Sequence, residues 1–106
     1  MAKKMTVEGW VDNVGKRGKL VQSDKSIQKF TIEDEIRHEQ SGFPEKVIYL
    51  QRVKFDDDRI ELRLCYYIQG SLPQMKGKWV FGRFATFLPE KDFKTITDKA
   101  RAKGWI

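Results

Sequence analysis

Ten residues, 60–69, constrain the fold of this chain more than any others. Ile60, Leu62, Leu64, Tyr66 and Ile68 take every second place, with Glu61, Arg63, Cys65, Tyr67 and Gln69 between them. Successive side chains of a β-strand point to opposite faces, so this alternation predicts a strand with one apolar face. Residues 46–55, rich in β-branched and aromatic side chains, predict a second strand just before it. Asp56-Asp57-Asp58 lies between the two, and aspartate favours turns, so the pair reads as an antiparallel hairpin.

An apolar sheet face needs a cover, and the C-terminal residues predict one. Pro89 suits the first position of a helix, where its missing N–H would lack a partner anyway. Phe93, Ile96 and Ala100 then fall on one stripe, which is expected to pack on Ile60, Leu62, Leu64 and Tyr66. Lys99, Arg101 and Lys103 match the negative end of the helix dipole. Gly104 is placed to close the helix in a left-handed conformation, with Trp105 folding back towards Ala100.

Elsewhere the pattern predicts a first strand over residues 7–14, a basic turn at 15–19, and a short strand over 20–22. Residues 26–31 fit either strand or helix approach. Thr31 and Asp34 have the spacing of a capping box, which predicts a short helix from Ile32 to about Gln40, burying Ile32 and Ile36 and stopping at Gly42. A loop over 70–77 leads to a last strand over 78–87. The expected fold is a single α+β domain spanning residues 1–106. It has an antiparallel meander of four to five strands, a short middle helix, and a C-terminal helix packed on the sheet.

A chain of 106 residues with 40% hydrophobic and 34% charged side chains has room for one modest core. The opening Met-Ala-Lys-Lys-Met-Thr-Val-Glu lacks the apolar stretch of a secretory signal, and no apolar run has membrane-spanning length. The expected setting is cytoplasmic, with no membrane partner. Cys65 is the one cysteine and His38 the one histidine. Neither an internal disulfide nor a multi-cysteine metal cage can form, and no metal or other cofactor is expected. His38 reads as a solvated side chain near a helix end, and Cys65 as a half-buried structural thiol.

Net charge is +6, and its distribution points to a partner. Residues 1–29 hold seven basic and three acidic side chains, residues 69–106 eight and three, and the middle of the chain is net acidic. Ends brought together would form a basic face that attracts polyanions. The strand pattern adds a candidate surface. Opposite the apolar face of 60–69 lie Arg63 and Tyr67, joined in the expected register by Arg52 and Lys54 on one side. Trp79, Phe81 and Arg83 would join on the other, with Lys76 and Lys78 at the edge. Rings interleaved with cations suit single-stranded nucleic acid, because bases stack on the rings while cations follow the phosphates. Lys16, Arg17 and Lys19 on the first turn are expected as further phosphate contacts. The same face also carries Ile48, Leu50 and Phe87 in that register. It is therefore either open for binding, or packed beneath the N-terminal strands or across a homodimer interface.

The chain from Lys46 onward resembles the general transcriptional coactivator family of small single-strand DNA-binding dimers. The shared features are the hairpin, Arg63 with Tyr66-Tyr67, Met75-Lys76-Gly77-Lys78, Leu88-Pro89-Glu90 and the aromatic position Phe93. The resemblance implies a curved antiparallel sheet followed by one helix, and single-strand binding that includes Lys76 and Lys78. Val7-Glu8-Gly9-Trp10-Val11, followed by Gly15-Lys16-Arg17-Gly18-Lys19, is similar to the opening of anticodon-binding domains of some class II aminoacyl-tRNA synthetases. That similarity implies an OB-type barrel. The expected function is non-enzymatic nucleic-acid binding, single strands preferred. Alternatives are a protein-interaction or homodimerisation module, and a metal-dependent nuclease using Asp57 and Glu61.

Overall fold

A computed structural model of the chain describes residues 9–70, 77–83 and 85–106. Five strands form one antiparallel sheet in the order β1-β2-β3-β4-β5: β1 (Arg17–Val21), β2 (Ile27–Gln40), β3 (Phe43–Phe55), β4 (Ile60–Gln69) and β5 (Trp79–Phe81). One helix, α1 (Glu90–Ala102), follows and packs against β2. The β3–β4 hairpin turns at Asp56-Asp57-Asp58 as expected, with Asp58 in the left-handed region at φ 72°. Its register pairs Leu50 with Leu64 and Gln51 with Arg63. The sheet curls enough that the Arg63 guanidinium on β4 lies 5.2 Å from the ring centre of Phe30 on β2. That curled-in side is the concave face.

The expected middle helix is a strand. Ile32 and Ile36 are both buried, but they lie on opposite faces of β2. Ile32 pairs with Val53 and Ile36 with Leu50, and a register shift between Ile32 and Asp34 lies between them. The bulge inserts one residue and exchanges the faces. A spacing of four, which resembled a helical turn, is here a strand repeat interrupted by a bulge.

Two expected strands shrink. Within the predicted 7–14 strand, residues 9–14 form a turn and irregular chain, while Val7 and Glu8 lie outside the described residues. Residues 10–13 instead cross the concave face, where side chains satisfy their backbone. Tyr49 donates to the Val11 carbonyl at 2.7 Å, and the Asn13 N–H donates to Glu35 at 2.8 Å. The predicted 78–87 strand is confined to Trp79–Phe81. Its pairing ends where the Gly82 N–H donates to the Tyr66 carbonyl, and the chain then leaves the sheet for α1. A side-chain carbon on Gly82 would overlap the Tyr66 ring. Gly82→Ala should therefore cost about 1–3 kcal/mol through overpacking. The readout is the thermal midpoint, expected to fall by about 5 °C or more. An unchanged midpoint would mean the ring moves aside freely.

At the C-terminus the helix ends as its sequence predicts. Gly104 has φ 79°, its N–H donates to the Arg101 carbonyl, and the Trp105 N–H donates to the Ala100 carbonyl. The start differs by one residue, since Pro89 is extended and caps α1 from outside. The buried stripe differs too. Ile96 and Ala100 are buried, but Phe93 is half exposed and Asp92 takes the inward place. Asp92 accepts from the Ser41 N–H at 2.7 Å and the Ser41 hydroxyl at 2.5 Å, and bonds His38 Nε2 at 3.1 Å. His38 is accordingly a strand residue tied to α1, unlike the solvated helix-end histidine expected. Burial alone would raise the Asp92 carboxyl, but the bonds from Ser41 and His38 outweigh it and hold the group below its ordinary value.

The core lies in three clusters. Ile36, Ile48 and Leu50 pack under Ile96 and Ala100 on the helix side. Phe30, Ile32, Val53 and Phe55 fill one end of the concave face, and Val47, Tyr49 and Cys65 the other, with Trp10, Tyr67 and Trp79 packed on them. The alternating face of β4 points to the helix side but is left uncovered. Because α1 sits over β2, Ile60, Leu62 and Leu64 remain exposed.

Candidate nucleic-acid interface

The register divides the predicted binding residues between two faces. Arg52 pairs with Leu62 and Lys54 with Ile60, which places both cations on the helix side with β4's apolar residues. Arg63, Tyr67, Trp79 and Phe81 lie on the concave side. The single aromatic and basic surface expected from the sequence is therefore not assembled. Ile48 and Leu50, expected beside Arg63, belong to the core under α1. Lys78 and Arg83 are exposed on either side of β5, and Lys76 lies outside the described residues.

The concave face is largely occupied by its own side chains. Tyr49 and Tyr67 meet at 5.0 Å between ring centres, and Tyr67 meets Phe81 edge-on at 5.4 Å. Arg63 lies over Phe30 and Phe81 and donates from Nε to Gln51 at 2.9 Å. Gln51 donates in turn to Glu35, a carboxylate with no exposed side-chain surface. Glu35 also receives the Asn13 N–H and side-chain amide and the Arg37 guanidinium. Tyr67 completes the arrangement by donating to Asn13 at 3.2 Å. Burial raises the Tyr49 and Tyr67 phenols above their ordinary values, so both stay protonated donors near neutral pH. Burial also pushes the Cys65 thiol up to about 11, which makes it a poor nucleophile. These groups anchor residues 10–13 and leave Phe81 as the half-open ring at the β5 rim.

A different set of cations converges on the β1–β2 ribbon. Arg17 pairs with Thr31, Lys19 with Lys29, and Thr31 with Lys54, so these residues share one side of three neighbouring strands. Arg17 is committed in part. It grips Asp56 through two hydrogen bonds of 2.8 and 2.9 Å and holds that carboxyl below its usual value. Arg52 is paired with Glu33, and Lys54 approaches Asp58 at 3.5 Å. Lys19 and Lys29 are exposed and form no ion pair with the described residues, as are Lys16 at the mouth of β1 and Lys25 in its turn. Like charges placed opposite each other across strands destabilise a sheet. Lys29 was missed in the sequence, because only the β1–β2 register brings it opposite Lys19.

Asp57 and Glu61, the candidate metal ligands, both contact Arg59, at 3.3 and 2.8 Å. Among the described residues no three His, Cys, Asp or Glu side chains are grouped to hold a metal ion, and no helix is long and apolar enough to cross a membrane. Comparison with protein-family models, curated proteins and solved structures returns no match.

Proposed function

We propose that this chain is a non-enzymatic nucleic-acid-binding domain that takes phosphates on the β1–β2 ribbon. The observation that carries this reading is the Lys19–Lys29 pair, two exposed like charges held opposite each other. Arg17 and Lys54 extend the positive strip, and a polyanion would relieve the repulsion within it. Single strands are the favoured class. The half-open Phe81 ring, which lies on the concave side at the β5 rim and away from the strip, offers a base something to stack on, and a duplex keeps its bases stacked on each other.

Fluorescence anisotropy with labelled single-stranded and duplex oligonucleotides at several salt concentrations tests the reading. Wild type should bind with strong salt dependence and prefer single strands. Lys29→Gln and Lys19→Gln should each weaken binding for all sequences alike and lower the salt slope by about one. Unchanged slopes in both variants would remove the ribbon from the phosphate path. Absence of binding at low salt would sink the whole reading.

A further inference from the structure

We infer that two copies of this chain join edge to edge through β4, with Leu62 on the two-fold axis. Among the described residues, pairing on the outer side of β4 is confined to its end. β5 pairs only with Tyr67, Ile68 and Gln69, and Gly82 takes the outward carbonyl of Tyr66. Backbone groups in an antiparallel strand alternate in direction, so Ile60, Leu62 and Leu64 direct theirs outward as Tyr66 does. Among the described residues nothing bonds them on that side. The same three residues are 39%, 38% and 41% exposed. An open edge with apolar side chains is a template for another strand.

The sequence of this edge is its own complement. Antiparallel pairing about Leu62 sets Ile60 against Leu64 of the second copy, Leu62 against its twin, and Glu61 against Arg63, twice. Opposite charges meet on the concave side and apolar side chains meet on the helix side. About six backbone hydrogen bonds would form across the seam, two for each outward pair. A one-residue slip would lose both charge pairs and turn apolar side chains against charged ones. Residues 61–64 also border a crevice of about 330 Å³ that runs between them and Lys19 and Leu20 on β1, over Phe30, Val53 and Phe55. The second copy is favoured over an unrelated strand because the charge pattern matches itself in register.

Sedimentation analysis of the full chain over a range of concentrations tests the inference. Wild type should reach twice the chain mass at micromolar concentrations. Leu62→Pro removes an N–H that points away from β3, a position an edge strand tolerates, and should leave a folded monomer. A charge test keeps the inference falsifiable if that variant fails to fold. Glu61→Arg and Arg63→Glu alone should each dimerise at least about tenfold more weakly, since two like-charged pairs replace two opposite ones. Mixed together they should form a heterodimer close to wild-type strength. A wild type that stays monomeric, a folded Leu62→Pro that still dimerises, or a mixture no tighter than its components would each overturn the inference.

Discussion

Asp92→Ala should lower the folding free energy by about 3 kcal/mol, seen as a drop in the urea midpoint with little change in slope. Asp92 is 2% exposed, and its carboxylate joins α1 to the end of the β2–β3 hairpin through Ser41 and His38. Alanine would leave a backbone N–H, a hydroxyl and an imidazole facing a hole, and unmet buried donors are costly. Asp92→Asn keeps one oxygen and should lose less. The pH dependence follows from the depressed carboxyl. A group whose folded value lies below its unfolded value, near 3.9, gives its full stabilisation above that pH. It loses the stabilisation as the pH falls through the folded value. Acid unfolding of wild type should thus include a contribution below about pH 4 that Asp92→Ala lacks. A variant within about 1 kcal/mol of wild type would show that Ile96 and Ala100 alone hold the helix.

That bond also marks where the sequence was readable. Residues 60–69 alternate strictly, residues 46–55 are rich in β-branched and aromatic side chains, and three aspartates lie between them, so the β3–β4 hairpin and its turn were visible without a structure. The helix end was visible because Gly104 and Trp105 act locally. Residues 27–40 were hidden because the bulge after Ile32 breaks the period on which any reading of faces depends. The stripe read from the sequence turns Phe93 inward and leaves Asp92 out of the core. The reversal depends on Ser41, 51 residues away, and no local pattern reports it.

The candidate site was legible as a set of residue types and illegible as a surface. Sequence position alone did not pair Arg52 with Leu62, or Lys19 with Lys29. In the assumed register Arg52 joined Arg63, but one residue of offset carries a side chain to the other face. Of the predicted residues, the ribbon brings Arg17, Lys19 and Lys54 together, while Tyr67 and Trp79 pack on the chain's own Val47, Tyr49 and Cys65, and Tyr67 also bonds Asn13. An aromatic surface beside cations can bind a ligand or form an interior. What decides here is Glu35, a charge in the middle of β2 with nothing in its local sequence to show that it faces inward.

Glu35 is therefore the second position where a single change should be severe. Glu35→Ala is expected to cost about 3–5 kcal/mol, because it removes the acceptor common to Asn13, Gln51 and Arg37. The isosteric Glu35→Gln should do little better. One carboxylate oxygen receives the Asn13 N–H and both Arg37 donors, and the other receives the Asn13 and Gln51 amides. Whichever way glutamine turns, its own NH₂ meets donors. Released from this hub, residues 10–13 should lift from the concave face, shifting tryptophan emission to the red as Trp10 and Trp79 meet water. Denaturation midpoints and emission spectra of the two variants check this together. A glutamine variant as stable as wild type would mean the site needs only shape and an amide, and that the negative charge of Glu35 is incidental to the covering of this face. A glutamine variant as damaged as alanine would identify a buried anion as the group that keeps these aromatic rings inside, away from any base.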